Sequence, residues 1–412
     1  MSRTVNQQLP PAREVSADDR RLALRHARGL LDEHLRRLRE LPAHGNTKLR
    51  ADQLALGLLL SFFDPLARSL RQIEGCGDFR GNLDLPRLAR STTSDAMAAF
   101  DPRLLAPLIR DLRARCPGLE RGDPDLAAIA RRVVAADGTY LSVAADVAWA
   151  LRHTKRDGAA QGQVRANVQL DVASWVPQVV SVSGDDGDSE PAAVAKDLLR
   201  GVLYVVDRNF RDFAAFVGPV LANDNDLVLR CRANAPAARA VRGLPPTAQD
   251  VEAGVVADEL VELTGRDAPA GTFRLVTIRA ADRGGKPDAI RLLTNLTDRE
   301  KVPARVVGDI YRLRWQIELF FKWFKCFARV DHLLSASRRG VTTQLYVAVI
   351  AVLLMHVQTG RRVSVYALAA LGRVAAGTQS LAQAMEFLAR RERERELDRA
   401  RQARRRQRKK LA

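Results

Sequence analysis

Residues 202–207 read Val-Leu-Tyr-Val-Val-Asp, and residues 133–137 read Val-Val-Ala-Ala-Asp. In both stretches a run of small or β-branched apolar residues precedes an acid, which predicts a buried strand with Asp137 or Asp207 at its carboxyl end. That edge is where an open α/β sheet presents its functional groups. A single Asp in this position is commonly a turn former, but two on neighbouring strands favour a shared site.

A third acid lies in a stretch with helical periodicity, residues 308–327. At about 100° per residue of a single helix, four of its polar side chains fall on one arc about 60° wide, beside an apolar stripe. The polar four are Tyr311, Arg314, Glu318 and Lys325, flanked by Trp315 and Lys322. Ordinary ion pairing along a helix explains Arg314 and Glu318 equally well, but it does not explain the alignment of Tyr311 and Lys325.

Three carboxylates from two strands and a helix are typical of a two-metal site. Hard cations such as Mg²⁺ prefer oxygen ligands and keep positions open for phosphate. The chain is also strongly basic, with 66 Lys and Arg against 48 Asp and Glu, a formal charge of +18. Because such a charge attracts polyanions, nucleic acid is the leading partner, and phosphodiester chemistry is the leading reaction.

The remaining pattern predicts an α/β protein with helical ends. Strands alternate with helices after Pro117, and short apolar stretches alternate with turns between about Arg232 and Ala289. We therefore predict a helical N-terminal region (1–116) that binds DNA ends, a split catalytic core (117–231 and 300–345), a β-rich insertion (232–299) and a helical C-terminal region with a basic tail (346–412).

These motifs resemble the DDE transposases of bacterial insertion sequences, within the RNase H-like superfamily. More narrowly, Tyr311, Arg314, Glu318 and Lys325 match all positions and spacings of the subgroup signature Y-(2)-R-(3)-E-(6)-K. Ala-Asp137-Gly-Thr resembles the family's first-acid motif, and Val-Val-Asp207-Arg-Asn-Phe resembles its second. One departure is an Asn at position 209, where the group more often has Gly.

The resemblance implies an RNase H-like core and assigns roles to its residues. Asp137, Asp207 and Glu318 would be the catalytic metal ligands for two Mg²⁺ ions, with Mn²⁺ able to substitute. The residues implied to contact DNA are Tyr311, Arg314 and Lys325, with Trp315, Lys322 and Arg208 as further candidates. Partners would be the terminal inverted repeats of the element and target DNA, bound by a homodimer for which the C-terminal region is a candidate interface.

Two other functions remain open at this point, a nuclease of the same fold that never joins strands and a decayed transposase that only binds DNA. The longest strongly apolar run, residues 345–355, is shorter than the roughly 18–20 residues of a membrane span, so a buried helix is predicted there. With no signal peptide in the polar first thirty residues, we expect a protein of the bacterial cytoplasm that associates with the nucleoid.

Overall fold

The computed structural model describes residues 31–42, 48–63, 69–75, 85–116, 131–144, 147–154, 158, 160–232, 236–281, 287–326, 333–360, 364–375 and 378–411. The part of the predicted helical N-terminal region that precedes Leu31 lies outside these residues. Two compact units are present, one formed by residues 1–90 and 364–412 and one by residues 91–363. The predicted domain scheme with its core and insertion stays a prediction.

The helices, in chain order, are α1 (Asp32–Arg39), α2 (Ala51–Phe63), α3 (Leu70–Gly75), α4 (Arg90–Ala99), α5 (Ala106–Arg115), α6 (Glu190–Ala195), α7 (Gly218–Ala222), α8 (Ala248–Glu252), α9 (Ala304–Leu313), α10 (Trp315–Cys326), α11 (Arg338–Thr359), α12 (Val365–Ala375) and α13 (Leu381–Leu411). The strands are β1 (Arg132–Val143), β2 (Leu151–Thr154), β3 (Ala160–Asp171), β4 (Val176–Ser183), β5 (Val202–Val206), β6 (Asp226–Arg230), β7 (Ala238–Gly243), β8 (Val255–Leu263), β9 (Thr272–Ala281) and β10 (Pro287–Thr294).

The described residues of the first unit are mainly helical. Arg39, the last residue of α1, forms an ion pair with Asp52 of α2 at 3.0 Å, which connects the two helices. Helix α12 contacts both α2 and α13. Small side chains on α12, including Ala367 and Ala370, pack with Ala384 and Leu388 of α13 in a compact apolar cluster. Because these side chains are short, the two helices can approach each other closely.

The second unit is organised around one ten-stranded mixed sheet, with the order β2-β3-β1-β5-β6-β10-β9-β8-β7 and with β4 also paired to β3. Strands β1, β5 and β6 run parallel to one another, whereas β3 is antiparallel to β1 and to β4. Helices accompany this sheet, so the predicted α/β class is confirmed. Three antiparallel strands followed by two strands parallel to the first are consistent with an RNase H-like core.

The stretch predicted as a β-rich insertion does contain strands, β7 to β10. They continue the same sheet, because β10 pairs with β6 through Leu293 and Leu229. The inner strands are apolar: Leu227, Leu229, Leu275 and Leu293 belong to one buried cluster. The pairing between β10 and β6 joins residues more than sixty positions apart, so local sequence patterns could not reveal it.

Helix α11 is longer than its apolar core of residues 345–355 suggests. It is long and apolar enough to cross a membrane by length and composition, yet 78% of its apolar window is buried inside the protein. There it packs against α5 and β4. Ser337 caps its first turn by accepting a hydrogen bond from the N–H of Gly340 at 3.0 Å. The helix therefore serves as a core element of the second unit, as predicted.

Candidate active site

Asp137 and Asp207 lie on adjacent parallel strands at the same level of the sheet. Ala135 of β1 pairs with Val205 of β5, so two further residues along each chain bring the two acids side by side. Asp207 follows β5 directly, and its carboxylate accepts the N–H of Asn209 at 2.8 Å. This hydrogen bond caps a short 3-10 turn and fixes the side chain at the strand end.

Asp137 is not at the end of its strand, contrary to the sequence-based expectation. Strand β1 continues to Val143 because its antiparallel pairing with β3 extends past the acid, with Asp137 opposite Val168. The shorter parallel partner β5, in contrast, ends at Val206, directly before Asp207. The Oδ1 atom of Asp137 accepts the N–H of Gly138 at 2.9 Å, and its side chain is 19% exposed.

The segment that carries Glu318 was predicted as one helix, and this is wrong: α9 ends at Leu313 and α10 begins at Trp315. The ladder is interrupted because the N–H groups of Arg314 and Ile317 bond three residues back, to Tyr311 at 3.0 Å and to Arg314 at 3.1 Å. The apolar stripe is nevertheless buried, as predicted for Ile310, Ile317, Phe320, Phe321 and Phe324. Trp175 after β3 holds α10 by donating Nε1–H to Gln316 at 2.9 Å.

Arg314 links the helix to the strand acids. Its guanidinium lies 3.6 Å from Asp137 and also pairs with Glu318 one turn further along. Among the described residues, the Nε of Arg314 and the hydroxyl of Tyr311 are buried and have no hydrogen-bond partner. The guanidinium lies 5.8 Å from the Tyr311 ring centroid. The arginine thus sits between two predicted metal ligands as their counter-ion, with one donor unused.

A preassembled metal cage is absent from the described part of the chain, where no group of three or more His, Cys, Asp or Glu side chains is placed to hold an ion. The guanidinium of Arg314 instead lies next to the carboxylates of both Asp137 and Glu318. The available donors at this place are carboxylate oxygens, which suit hard divalent cations.

A fourth acid, Glu190, opens helix α6 beside Asp137 and was missed by sequence reasoning. Burial is the main cause that raises the pKa of Asp137 to about 8, and the negative charges of Glu190 and Asp207 raise it further. Burial likewise raises the pKa of Glu190. Burial is thus the main reason why both carboxyl groups hold a proton more tightly than exposed acids do.

A protein-family model described as a transposase DDE domain matches residues 129–354, more than half of the chain. The chain belongs to the DDE transposase family. The matched span includes every predicted catalytic acid, namely Asp137, Asp207 and Glu318.

Curated relatives of this transposase domain also carry transposase names. One, named as transposase y4zB from Sinorhizobium fredii, is 38% identical over 85 residues, 21% of this chain and 22% of the relative. Another, named for the insertion sequence element IS5377 of Geobacillus stearothermophilus, is 36% identical over 67 residues, 16% of this chain and 17% of the relative. The chain therefore spans about a fifth of the length of the curated relatives it matches.

Among solved structures, a piggyBac transposase synaptic complex with hairpin DNA aligns with 87% of this chain and 75% of its own chain. The sequence identity is 11% and the TM-score is 0.36. A TM-score this low does not establish a common fold.

The remaining predicted DNA contacts of the transposase domain differ in exposure. Trp315 is 55% exposed at the start of α10. Lys322 on the same helix is exposed, as is Arg208 next to Asp207, whereas Lys325 is half-buried near the end of α10. The exposed three are free to meet a ligand from solvent. Their assignment to DNA stays a prediction.

Glu190 had only a weak signal in the sequence. An acid in the first turn of a helix is ordinary, since it complements the helix dipole there. The stronger clue is Gly138, directly after Asp137, because a glycine in a strand interior marks a close approach of another group. The approaching group itself, more than fifty residues away in sequence, could be identified only from the fold.

Proposed function

We propose that this chain is the transposase of a bacterial insertion sequence, which cleaves DNA at the ends of its element and joins the freed 3′ ends to target DNA. The observation that carries the proposal is the convergence of acids from three elements. Asp137 and Asp207 are neighbours on parallel strands, and Arg314 links Asp137 to Glu318 of α10. The family to which the chain belongs generally uses divalent metal ions.

Asp137, Asp207 and Glu318 would hold two Mg²⁺ ions, for which Mn²⁺ can substitute. When bound, such ions stabilise the attacking and leaving oxygens of an in-line phosphoryl displacement. The residues fit this cofactor in two ways. Their donor atoms are all carboxylate oxygens, and two neighbouring acids, Glu190 and Asp207, add to burial in raising the pKa of Asp137.

The neighbouring basic and aromatic side chains would position DNA. Once the charges of Asp137 and Glu318 are neutralised by other means, the Arg314 guanidinium can turn its paired N–H groups to a phosphate. Lys325, Lys322 and Arg208 would supply further positive charge. The exposed ring of Trp315 can stack on a base displaced from the duplex, and Tyr311 is a second candidate.

The pattern Tyr311, Arg314, Glu318 and Lys325 supports placing the chain in the Y-(2)-R-(3)-E-(6)-K subgroup. The double-stranded DNA partners would be the element's terminal inverted repeats and a target site. Because two ends have to be cut together, the working form would be a homodimer. Its place of action would be the nucleoid in the bacterial cytoplasm.

The test uses a supercoiled plasmid that carries the DNA flanking this gene, incubated with Mg²⁺ and with wild type, Glu318→Gln or Glu262→Gln. Glu262 is a matched control, because it is a part-exposed acid on β8 that also pairs with an arginine, Arg239, away from the candidate site. We expect nicks at the element boundaries, followed by joined products, from the wild type and from Glu262→Gln only.

Cleavage by Glu318→Gln at the wild-type rate would remove Glu318 from the metal site. Cleavage by the wild type without joined products would identify a nuclease of the same fold instead. Boundary-specific binding without any cleavage would identify a protein that only binds DNA.

A further inference from the structure

We propose that Glu190 is a fourth carboxylate ligand of the divalent cation that Asp137 would hold. The inference rests on the proposed function, but it concerns a residue outside the three-acid motif. It follows from the packing of Glu190 against the backbone next to Asp137, and from one buried oxygen of its carboxylate that has no hydrogen-bond partner among the described residues.

Glu190 is not needed to start the helix in which it lies. Ser189 caps α6 by accepting the N–H of Ala192 at 3.3 Å, and Pro191 occupies the first turn. These two residues are sufficient signals for a helix start. The Glu190 side chain is therefore available for another role.

The carboxylate of Glu190 lies directly on the backbone of Gly138. A Cβ atom added to Gly138 would be 2.8 Å from Oε1 of Glu190 and 2.9 Å from Cδ of Arg165. Real Cβ atoms do not approach that closely, so the glycine makes room for the acid one residue after Asp137. Helix α6 itself contacts both β1 and β3, which fixes this approach.

No donor satisfies the inner oxygen of Glu190. Its Oε1 is buried and has no hydrogen-bond partner in the part of the chain that the structure describes. The Arg165 side chain lies nearby, but its Nε donates to Asn167 at 2.9 Å and its Nη2 donates to the carbonyl of Asp188 at 3.1 Å. A buried carboxylate oxygen that receives no hydrogen bond is costly unless a cation or a proton accompanies it.

The ionisable groups around Asp137 and Glu190 favour the binding of an added cation. When all four are ionised, Asp137, Asp207, Glu190 and Glu318 carry four negative charges, and the guanidiniums of Arg165 and Arg314 supply two positive ones. A divalent cation between Asp137 and Glu190 would neutralise the remainder and would use the unsatisfied Oε1. Such ions prefer oxygen ligands, and here the oxygens come from a strand residue and a helix residue.

The first experiment measures Mn²⁺ binding by calorimetry at pH 7.5, about the physiological value, without DNA, for wild type, Glu190→Gln, Glu318→Gln and the control Glu262→Gln. Glu190→Gln is nearly isosteric and relieves like-charge repulsion, so it is expected to fold at least as stably as the wild type without metal. We expect its Mn²⁺ affinity to fall on the order of 10–100-fold or more, the loss typical of removing a group that supports a metal site.

Gly138→Ala supplies a second variant, in which the added methyl group displaces the Glu190 carboxylate without removing it. We expect it to weaken Mn²⁺ binding as well, with the circular dichroism spectrum unchanged. Wild-type affinity in Glu190→Gln together with weakened binding in Glu318→Gln would overturn the role of Glu190 and leave the proposed function intact. A wild type that binds no Mn²⁺ and cuts no DNA would instead remove the proposed function.

A spectroscopic readout separates a ligand from a residue that only positions Asp137. Glu190→Cys titrated with Cd²⁺ is expected to gain a thiolate-to-metal absorption band in the ultraviolet, because thiolates are soft ligands. The wild-type titration, with its four native cysteines, gives the background to subtract. A variant that binds Cd²⁺ without any new band would overturn direct ligation.

Discussion

Two arginines face carboxylates inside the second unit, and their surroundings differ in kind. Arg274 of β9 donates from Nε and Nη2 to the two oxygens of Asp258 on β8, both at 2.7 Å. Its Nη1 donates to the carbonyl of Val302 at 2.6 Å. Both side chains of the pair are fully buried. Each charge thus has a partner of opposite sign and good geometry.

Arg314 is in the opposite situation. It lies 3.6 Å from Asp137, pairs with Glu318 as well, and leaves its Nε without an acceptor. Around it, acids outnumber cations. The contrast indicates that Arg274 holds strands β8 and β9 together, whereas the acids around Arg314 are not fully paired within the protein. Strongly perturbed acids of this kind cluster at functional sites.

The largest expected effect comes from removing one of the acids near Arg314. Asp137→Asn should slow plasmid cleavage on the order of 10³-fold or more, since a lost metal ligand removes several kcal/mol of transition-state stabilisation. Unfolding by urea should show no loss of stability, because a buried like charge has been removed. Cleavage by Asp137→Asn at the wild-type rate would contradict a role for Asp137 in holding the metal ions.

For the buried Arg274–Asp258 pair, Asp258→Ala should lower the free energy of unfolding by about 3–5 kcal/mol, because it leaves Arg274 buried without its counter-ion. Urea denaturation measures this loss. The matched variant, Asp258→Leu with Arg274→Met, should recover most of it, since a well-packed apolar pair can replace a buried ion pair. Loss of Mn²⁺ affinity in the double variant would contradict a purely structural role.

A smaller, graded effect is expected from pH. Burial and nearby negative charge raise the pKa of Asp137 to about 8, whereas an unfolded Asp titrates near about 3.9. Between these values the folded protein keeps a proton that the unfolded chain has lost, so metal-free stability should fall as the pH rises from about 4 to about 8. Thermal melting in a chelator measures this decline.

Asp137→Asn should flatten the decline, and so should saturating Mg²⁺, because either change removes the need for the proton. An unchanged slope in Asp137→Asn would show that another group causes it.

The smallest effect concerns the exposed end of α10. Trp315→Ala should weaken binding of element-end DNA by roughly 1–3 kcal/mol, the usual contribution of a stacked base. Its stability should change by no more than about 0.5 kcal/mol, because the side chain is largely in solvent. Leu319→Ala is the control, an exposed residue of the same helix without a ring. Equal affinities of the two variants would remove Trp315 from the DNA contacts.

The sequence predicted those parts of the site that depend on local pattern. Apolar runs identified the strand segments that precede Asp207 and Asp137, and helical spacing identified the buried stripe around Phe320. Both signals arise from burial of one face of an element, which the periodicity of side chains encodes directly.

Other features depend on partners distant in sequence and could not be predicted. The continuation of β1 past Asp137 is imposed by β3, and the inclusion of β10 in the main sheet is imposed by β6. The break at Arg314 lies inside a stretch whose helical pattern is continuous. Glu190 reaches Asp137 only because the chain folds α6 back onto β1.

The most direct test of metal ligation by the strand acids is Asp207→Cys assayed on the element-end plasmid. A thiolate is a poor ligand for Mg²⁺ and a better one for the softer Mn²⁺. The account predicts no cleavage by Asp207→Cys with Mg²⁺ and recovered cleavage with Mn²⁺, while Asp207→Ala stays inactive with both ions. Full activity of Asp207→Cys with Mg²⁺, or of Asp207→Ala with either ion, would contradict it.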